Sequence, residues 1–283
     1  MKLTPDQKTA VLDQFETYAE ALAEATPTDT ARTWGFEIET PDADNVYART
    51  DYDQRKDCLE FKGDGSVERE GGNDCECDCS DCYHSCDCGN CDLNNGYTEL
   101  DHCGGGLCNG TGDYQEITSV GGLTTSHPTA LDILQNAGLS DCETNDTTGL
   151  HIHLGSADLT AEQVARVIST YRQALHILDP IAGRSEVYYA QAPRLEHSED
   201  ARQGYASEKY RAVNTATHFH GGSFRPKTIE FRQHAGETNV DKIRAWAMLL
   251  IEIVEFAKGN ASVFWIGGAR DLKHLRQLLT ARK

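Results

Sequence analysis

Three short segments, far apart in the chain, alternate apolar residues with groups that bind ions or phosphate. They read Trp34-Gly35-Phe36-Glu37-Ile38-Glu39, Gly149-Leu150-His151-Ile152-His153-Leu154-Gly155 and Thr228-Ile229-Glu230-Phe231-Arg232-Gln233. Successive side chains of a strand point to opposite faces, so Trp34, Phe36 and Ile38 would enter a core while Glu37 and Glu39 project together from the other side. The same alternation separates Leu150, Ile152 and Leu154 from His151 and His153, and Ile229 and Phe231 from Glu230 and Arg232. Sharing one sheet, the segments would gather three carboxylates, two imidazoles and a guanidinium on one face, an inventory suited to divalent metal and phosphate. A lone Glu-x-Glu or His-x-His is more often a solvated sheet face, and it is the recurrence of the pattern that favours a site. Glu37 and Glu39 would repel each other once dehydrated unless a cation or an arginine neutralised them. The planar, permanently charged fork of Arg232 matches phosphate oxygens, and Arg184, Arg211 and Arg225 are candidates to join it in binding a phosphorylated cofactor. Glu116 is a candidate further carboxylate.

The elements that must position these groups can be read around them. Thr4 as cap and Pro5 as first residue open a helix over residues 5–24, with Val11, Phe15, Tyr18 and Leu22 at helical spacing. A short strand from Leu59 to Phe61 runs into the turn Gly63-Asp64-Gly65, and Ser66-Val67-Glu68 returns from it. Tyr114 to Thr118 predicts a strand, and Pro128 to Asn136 a helix stopped by Gly138. Asp158 or Thr160 caps the longest mid-chain helix, whose buried stripe is Val164, Val167, Ile168, Tyr171, Leu175 and Leu178 and whose end is Pro180. Residues 184–211 are loop-rich, Ala212 to Phe231 reads as two strands joined near Gly221-Gly222, and helices follow at Val240–Ala257 and Asp271–Ala281. Without Walker or Rossmann glycine loops, this order predicts an α+β fold whose antiparallel sheet carries the site on its polar face.

A chain of 283 residues, 39% of them hydrophobic, can bury a large core, and it reads as one domain over residues 1–283. Its formal charge of −19, from 26 basic and 45 acidic residues, disfavours nucleic-acid phosphates and anionic lipid as partners. A salt-rich habitat is another source of such acidity. Met1 to Thr26 lacks a cationic start followed by an apolar run, and no window reaches bilayer-spanning length, so a cytoplasmic, membrane-free protein is expected.

One stretch breaks the pattern. From Gly71 to Asp92 almost nothing apolar remains except Tyr83 and the cysteines, so it cannot form a conventional core. Cys75, Cys77, Cys79, Cys82, Cys86, Cys88 and Cys91 are followed by Cys103 and Cys108, with His84 and His102 nearby. The pairs Cys79-x-x-Cys82 and Cys88-x-x-Cys91 have the spacing that brings two thiolates to one tetrahedral zinc, and residues 71–111 are read as an inserted structural zinc site. Disulfides, a redox-labile loop and an iron–sulfur cluster are the alternatives. The interleaved acids Asp74, Glu76, Asp78, Asp81 and Asp87 disfavour nucleic acid there, and a lid, an acceptor-specificity element or a knob that docks a protein partner fits better. Cys58 and Cys142 lie outside the cluster and read as packing residues.

Taken in order, Gly35-Phe36-Glu37-Ile38-Glu39, Asp64-Gly65-Ser66, Glu116-Ile117-Thr118-Ser119, Gly149-Leu150-His151-Ile152-His153, Tyr210-Arg211-Ala212-Val213-Asn214 and Ile229-Glu230-Phe231-Arg232 resemble the amidoligase family. These are carboxylate–amine ligases with the glutamine synthetase fold. The resemblance runs from about residue 32 to 257, interrupted by the cysteine-rich insert. It implies a curved antiparallel sheet with flanking helices and an ATP-dependent ligation, in which a substrate carboxylate takes the terminal phosphoryl group and an amine then displaces phosphate to leave an amide. It further implies that Glu37 and Glu39 hold different Mg²⁺ or Mn²⁺ ions, that Glu116 assists one, and that His151 with Glu230 completes the other. His153 and Arg232 would contact phosphate or the reacting carboxylate. The expected substrates are small-molecule or peptide carboxylates and amines. The rival expectation is a non-catalytic, zinc-stabilised binding or adaptor protein on a ligase-like scaffold.

Overall fold

Alternating burial in the polar-and-apolar segments organises the molecule. The computed structural model describes residues 2–25, 32–51, 58–63, 67, 114–119, 129–184, 211–220, 227–259 and 265–281. Among these residues the strands are β1 (Trp34–Glu39), β2 (Leu59–Lys62), β3 (Glu116–Ser119), β4 (Gly149–Gly155), β5 (Val213–Asn214) and β6 (Thr228–Ala235). They form one antiparallel sheet in the order β2-β3-β1-β4-β6-β5, so β1, β4 and β6, the three segments that alternate apolar residues with Glu, His and Arg, are consecutive neighbours at its centre. Trp34, Phe36, Ile38, Ile117, Leu150, Ile152, Leu154, Ile229 and Phe231 are all buried on the core side. The fold is therefore α+β, as the element order predicts.

Helices cover that apolar face. They are α1 (Pro5–Glu24), α2 (Ala43–Arg49), α3 (Thr129–Asn136), α4 (Ala161–Ala182), α5 (Ala216–His220), α6 (Val240–Gly259) and α7 (Leu272–Thr280). Twelve residues of α6, from Val240 to Ala257, are buried, because α6 packs against α1, α4, α7 and β4. A helix apolar around most of its circumference belongs in such a central position. Thr4 with Gln7 and Thr160 with Gln163 form capping boxes that start α1 and α4. No described helix is long and apolar enough to cross a membrane.

At the end of the sheet Arg32 joins four elements. Its guanidinium, 4% exposed as a residue, pairs with Glu255 of α6 at 2.6 Å and Asp158 before α4 at 3.0 Å, and donates to the Gly155 carbonyl of β4. This fixes the entry of β1 beside the exit of β4.

Several boundaries differ from the sequence expectation, each for a local reason. The expected strand Tyr114–Thr118 runs instead from Glu116 to Ser119, and the Tyr114 N–H is bound by Asp44 at 3.1 Å while its ring packs against Tyr47 and Phe61. Helix α4 continues past Pro180 to Ala182, since burial of Ile181 and Ala182 offsets the single lost hydrogen bond, and it stops at Gly183 with φ of 67°. In place of two strands over Ala212–Phe231, β5 has only two residues. The Asn214 side chain accepts from the Ala216 N–H at 3.0 Å and turns the chain into α5. Helix α2 is a further element without a counterpart in the sequence reading, its seven residues being too few to display a period. The turn Asp64-Gly65-Ser66, Glu68, the insert at 71–111 and the Gly221-Gly222 junction lie outside the described residues.

Candidate metal centre

Strand register decides which polar groups meet. Glu37 of β1 stands opposite His151 of β4, and His153 of β4 stands opposite Glu230 of β6. Glu230 in turn faces Asn214 of β5, and Glu39 faces Glu116 of β3. Between Leu150 and Ile152 the β4–β6 register shifts, since Leu150 pairs with His234 and Ile152 with Phe231. Two β6 residues, Arg232 and Gln233, thus fall opposite the single residue His151. Such a bulge re-aims side chains beside a site.

The resulting cluster is dense and largely buried. His151 Nδ1 lies 2.9 Å from Glu37 Oε2 and 3.7 Å from Glu230 Oε1, while its Nε2 lies 3.6 Å from Glu39 Oε1. One imidazole therefore touches all three carboxylates. His153 Nε2 lies 2.9 Å from the other oxygen of Glu37. The Glu230 carboxylate accepts from Asn214 Nδ2 at 2.7 Å and from Arg232 Nη1. Glu39, His151 and Glu230 are each about 5% exposed, so these charges interact through protein more than through water. A Cβ added to Gly149 would lie 3.0 Å from Glu39 Oε2 and 3.2 Å from His151 Nε2, so the bare glycine backbone is what lets both groups close over it.

The electrostatics follow from these contacts. Burial opposes ionisation of Glu37, but hydrogen bonds from His151 and His153 outweigh it and hold the carboxyl well below the usual carboxylate range. Burial likewise disfavours a charged His153, yet the bond to Glu37 and the charges of Glu230 and Glu37 raise its pKa above the ordinary histidine value. Desolvation lowers the pKa of Arg184 against the attraction of Glu39 and Asp146. Arg184 donates to the carbonyls of Asp146 and Thr148, at the edge of the cluster beside Gly149.

Behind the bulge a polar chain ties β6 to α4. Tyr171 donates its hydroxyl to Gln233 Oε1 at 2.8 Å, and Gln233 Nε2 donates to Asp179 at 2.5 Å and to the Arg184 carbonyl at 3.1 Å. Gln233 is thereby locked, and with it the backbone that presents Arg232.

Of the candidate site residues, Glu37, Glu39, His151, His153, Glu230 and Arg232 come together on one face, with Arg184 at its border. Glu116 shares that face one strand away, 3.7 Å from Lys62 Nζ. Arg211 is buried at the start of the β5 segment, next to Ala212, whose carbonyl accepts the Arg232 N–H at 2.9 Å. Arg225 and all nine cysteines of the insert lie outside the described residues. Ligand atoms of Glu37, His153 and Glu230 all lie within 4.8 Å of one another, His153 and Glu230 being direct cross-strand partners. His151, which the resemblance pairs with Glu230, lies 3.7 Å from it. Asn214 belongs to the cluster through its bond to Glu230; it ends the Tyr210–Asn214 motif of the resemblance but is given no role there.

Two carboxylates and an imidazole converging this closely suit a divalent cation. Arg232 Nε is buried and has no hydrogen-bond partner among the described residues, a donor suited to an anionic oxygen. The arrangement is thus a group of side chains that could hold a cation, edged by arginine. No protein-family model, curated protein or solved structure matches the chain.

Proposed function

We propose that the chain is an ATP-dependent carboxylate–amine ligase of the amidoligase kind, with a glutamine-synthetase-like sheet, forming an amide or isopeptide bond. The observation that carries this reading is the meeting of Glu37, Glu39, His151, His153, Glu230 and Arg232 on one buried sheet face. In the reaction a substrate carboxylate oxygen attacks the terminal phosphorus of ATP and ADP leaves. The amine nitrogen then attacks the acyl carbon, phosphate leaves, and the surplus amine proton is released.

Glu37, His153 and Glu230 would hold Mg²⁺ or Mn²⁺, with Glu39 and Glu116 available to a second ion, and the bound cations would neutralise phosphate charge. The remaining work falls to the chain's own groups. Arg232 offers its buried Nε–H to an anionic oxygen of the substrate, and Gln233, held by Tyr171 and Asp179, keeps the bulge that aims it. Burial of the cluster excludes water, which strengthens each charge and protects an acyl phosphate from hydrolysis. The insert at 71–111 would carry structural zinc and take no part in bond making. A cytoplasmic setting, where ATP is made and thiols stay reduced, suits both parts of the proposal.

A second reading has its own support. Both oxygens of Glu37 are already engaged by histidines, so the polar face can satisfy itself without a ligand, as a non-catalytic binding or adaptor scaffold would need. ADP release from ATP and Mg²⁺, across pooled amino acids, peptides and polyamines, separates the two. Ligase chemistry requires substrate-dependent ADP that Glu39→Gln and Arg232→Ala abolish with the fold intact. Turnover unchanged in both variants, or no ATP binding by the native chain, would overturn the ligase reading.

A further inference from the structure

An open cavity of about 1260 Å³ lies between the start of α1, the C-terminal half of α4 and the turn before α7, and reaches Arg184 at the border of the polar cluster. Among the described residues only two large apolar side chains are strongly exposed, Trp265 at 77% and Leu12 at 42%, and both line this cavity. Among the described residues the charged part of the lining is mostly cationic, with Lys2, Lys8, Arg172 and Arg184 against the single carboxylate Asp179. Asp179 is itself bound to Gln233. None of Lys2, Lys8 and Arg172 forms an ion pair with a described residue. In a chain of charge −19 such a local excess of positive charge is out of character with the rest of the surface.

The tryptophan is held in place. The next residue, Ile266, is buried and its N–H is bound by Gln173 Oε1 of α4 at 2.8 Å, while Ala269 N closes the turn onto Ile266 O at 3.0 Å. His176 Nε2 lies 2.7 Å from the Ala269 carbonyl and pins the other end of the turn to the same helix. The indole lies against Gly267, where an added Cβ would come within 3.0–3.3 Å of three ring carbons. An exposed ring on a fixed backbone presents apolar area at low entropic cost, which is how interface anchors are built.

We propose that this groove is a binding site for an acidic peptide segment of a partner protein, its carboxylates on Lys2, Lys8 and Arg172 and an apolar side chain on Trp265 and Leu12. The cavity exceeds the roughly 300–1,000 Å³ of small-molecule pockets and is open, which suits an extended chain. Aliphatic Leu12 beside the indole suits an apolar peptide side chain better than a stacked base. The proposal is independent of the ligase reading.

Trp265 also supplies the assay. The other two tryptophans, Trp34 and Trp246, are buried, so acrylamide quenching of intrinsic fluorescence reports chiefly Trp265. The probe is a short synthetic peptide of alternating glutamate and leucine, with a glutamine-for-glutamate version and a thymidine oligonucleotide as comparisons. The acidic peptide should protect Trp265 from quenching, and the double variant Lys8→Glu, Arg172→Glu should weaken its binding about tenfold or more. Trp265→Phe should remove the optical signal, with residual peptide binding measured by anisotropy of a labelled peptide. The proposal is overturned if no peptide protects Trp265, if the glutamine version binds as well, if the charge-reversed variant binds unchanged, or if the oligonucleotide binds in preference.

Discussion

His234 makes the strand that carries Glu230 and Arg232 sensitive to acid. The bulge at Arg232–Gln233 returns His234 to the core face opposite Leu150, where its ring lies 5.1 Å from that of Trp246 and is 4% exposed. Burial, helped by the charges of Arg184 and Lys242 and opposed by the Ala235 carbonyl 2.8 Å from Nδ1, pushes its pKa down to about 4. In the unfolded chain the ring takes a proton as pH falls through about 6.5, while the folded chain resists until about 4. The unfolded state therefore binds more protons across that window, and stability falls as pH drops from about 6.5 to about 4, then levels. That depression corresponds to about 3 kcal/mol, a large part of an ordinary domain's stability. Urea unfolding of the native chain and of His234→Phe, at steps between pH 7 and pH 4, isolates this contribution, because all other titrating groups cancel in the difference. The gap between the two should shift by about 3 kcal/mol in favour of the variant on acidification. A gap that stays constant with pH would refute the reasoning.

Other substitutions probe the site and its frame. Gly149→Ala should displace Glu39 or His151, and Mn²⁺ binding followed by electron paramagnetic resonance should weaken about tenfold while the circular dichroism spectrum is retained. Arg32→Ala should lower stability by about 2 kcal/mol in urea titrations, a moderate value because its partners Asp158 and Glu255 are both more than a third exposed and stay hydrated after the loss. Elemental analysis of the native chain should find about one or two zinc ions, and Cys79→Ser with Cys82→Ser should lose at least one. Full reduction and zinc removal without change in the melting profile would end the structural-zinc expectation.

The parts of this molecule that depend on local period were legible in the sequence. Alternation alone assigned Glu37 and Glu39, His151 and His153, and Glu230 and Arg232 to one polar face, Thr4 with Pro5 marked the start of α1, and Asp158 or Thr160 marked that of α4, where Thr160 is the cap. What depends on register was not. No local pattern tells that Glu37 stands opposite His151, or that a bulge puts both Arg232 and Gln233 opposite that same histidine, because pairing joins segments more than a hundred residues apart for the first and about eighty for the second. The closeness of His153 to Glu230 inherits this limit, since it arises from a cross-strand contact that spacing cannot encode. The two roles of Asn214, on Glu230 and on the Ala216 N–H, were hidden for a related reason, arising only once β5 ends in a turn. The clustering of Trp265 and Leu12 likewise requires α1 to lie beside α4.

The most direct test of the ligase account traps the acyl phosphate itself. The native chain, supplied with ATP, Mg²⁺, hydroxylamine and a pooled set of carboxylates including short peptides, should yield ATP-dependent acyl hydroxamates identifiable by mass. Glu39→Gln should yield none. An absence of hydroxamate together with no detectable ATP binding, in protein whose polar site still takes up Mn²⁺, would contradict the account and leave a metal-binding scaffold in its place.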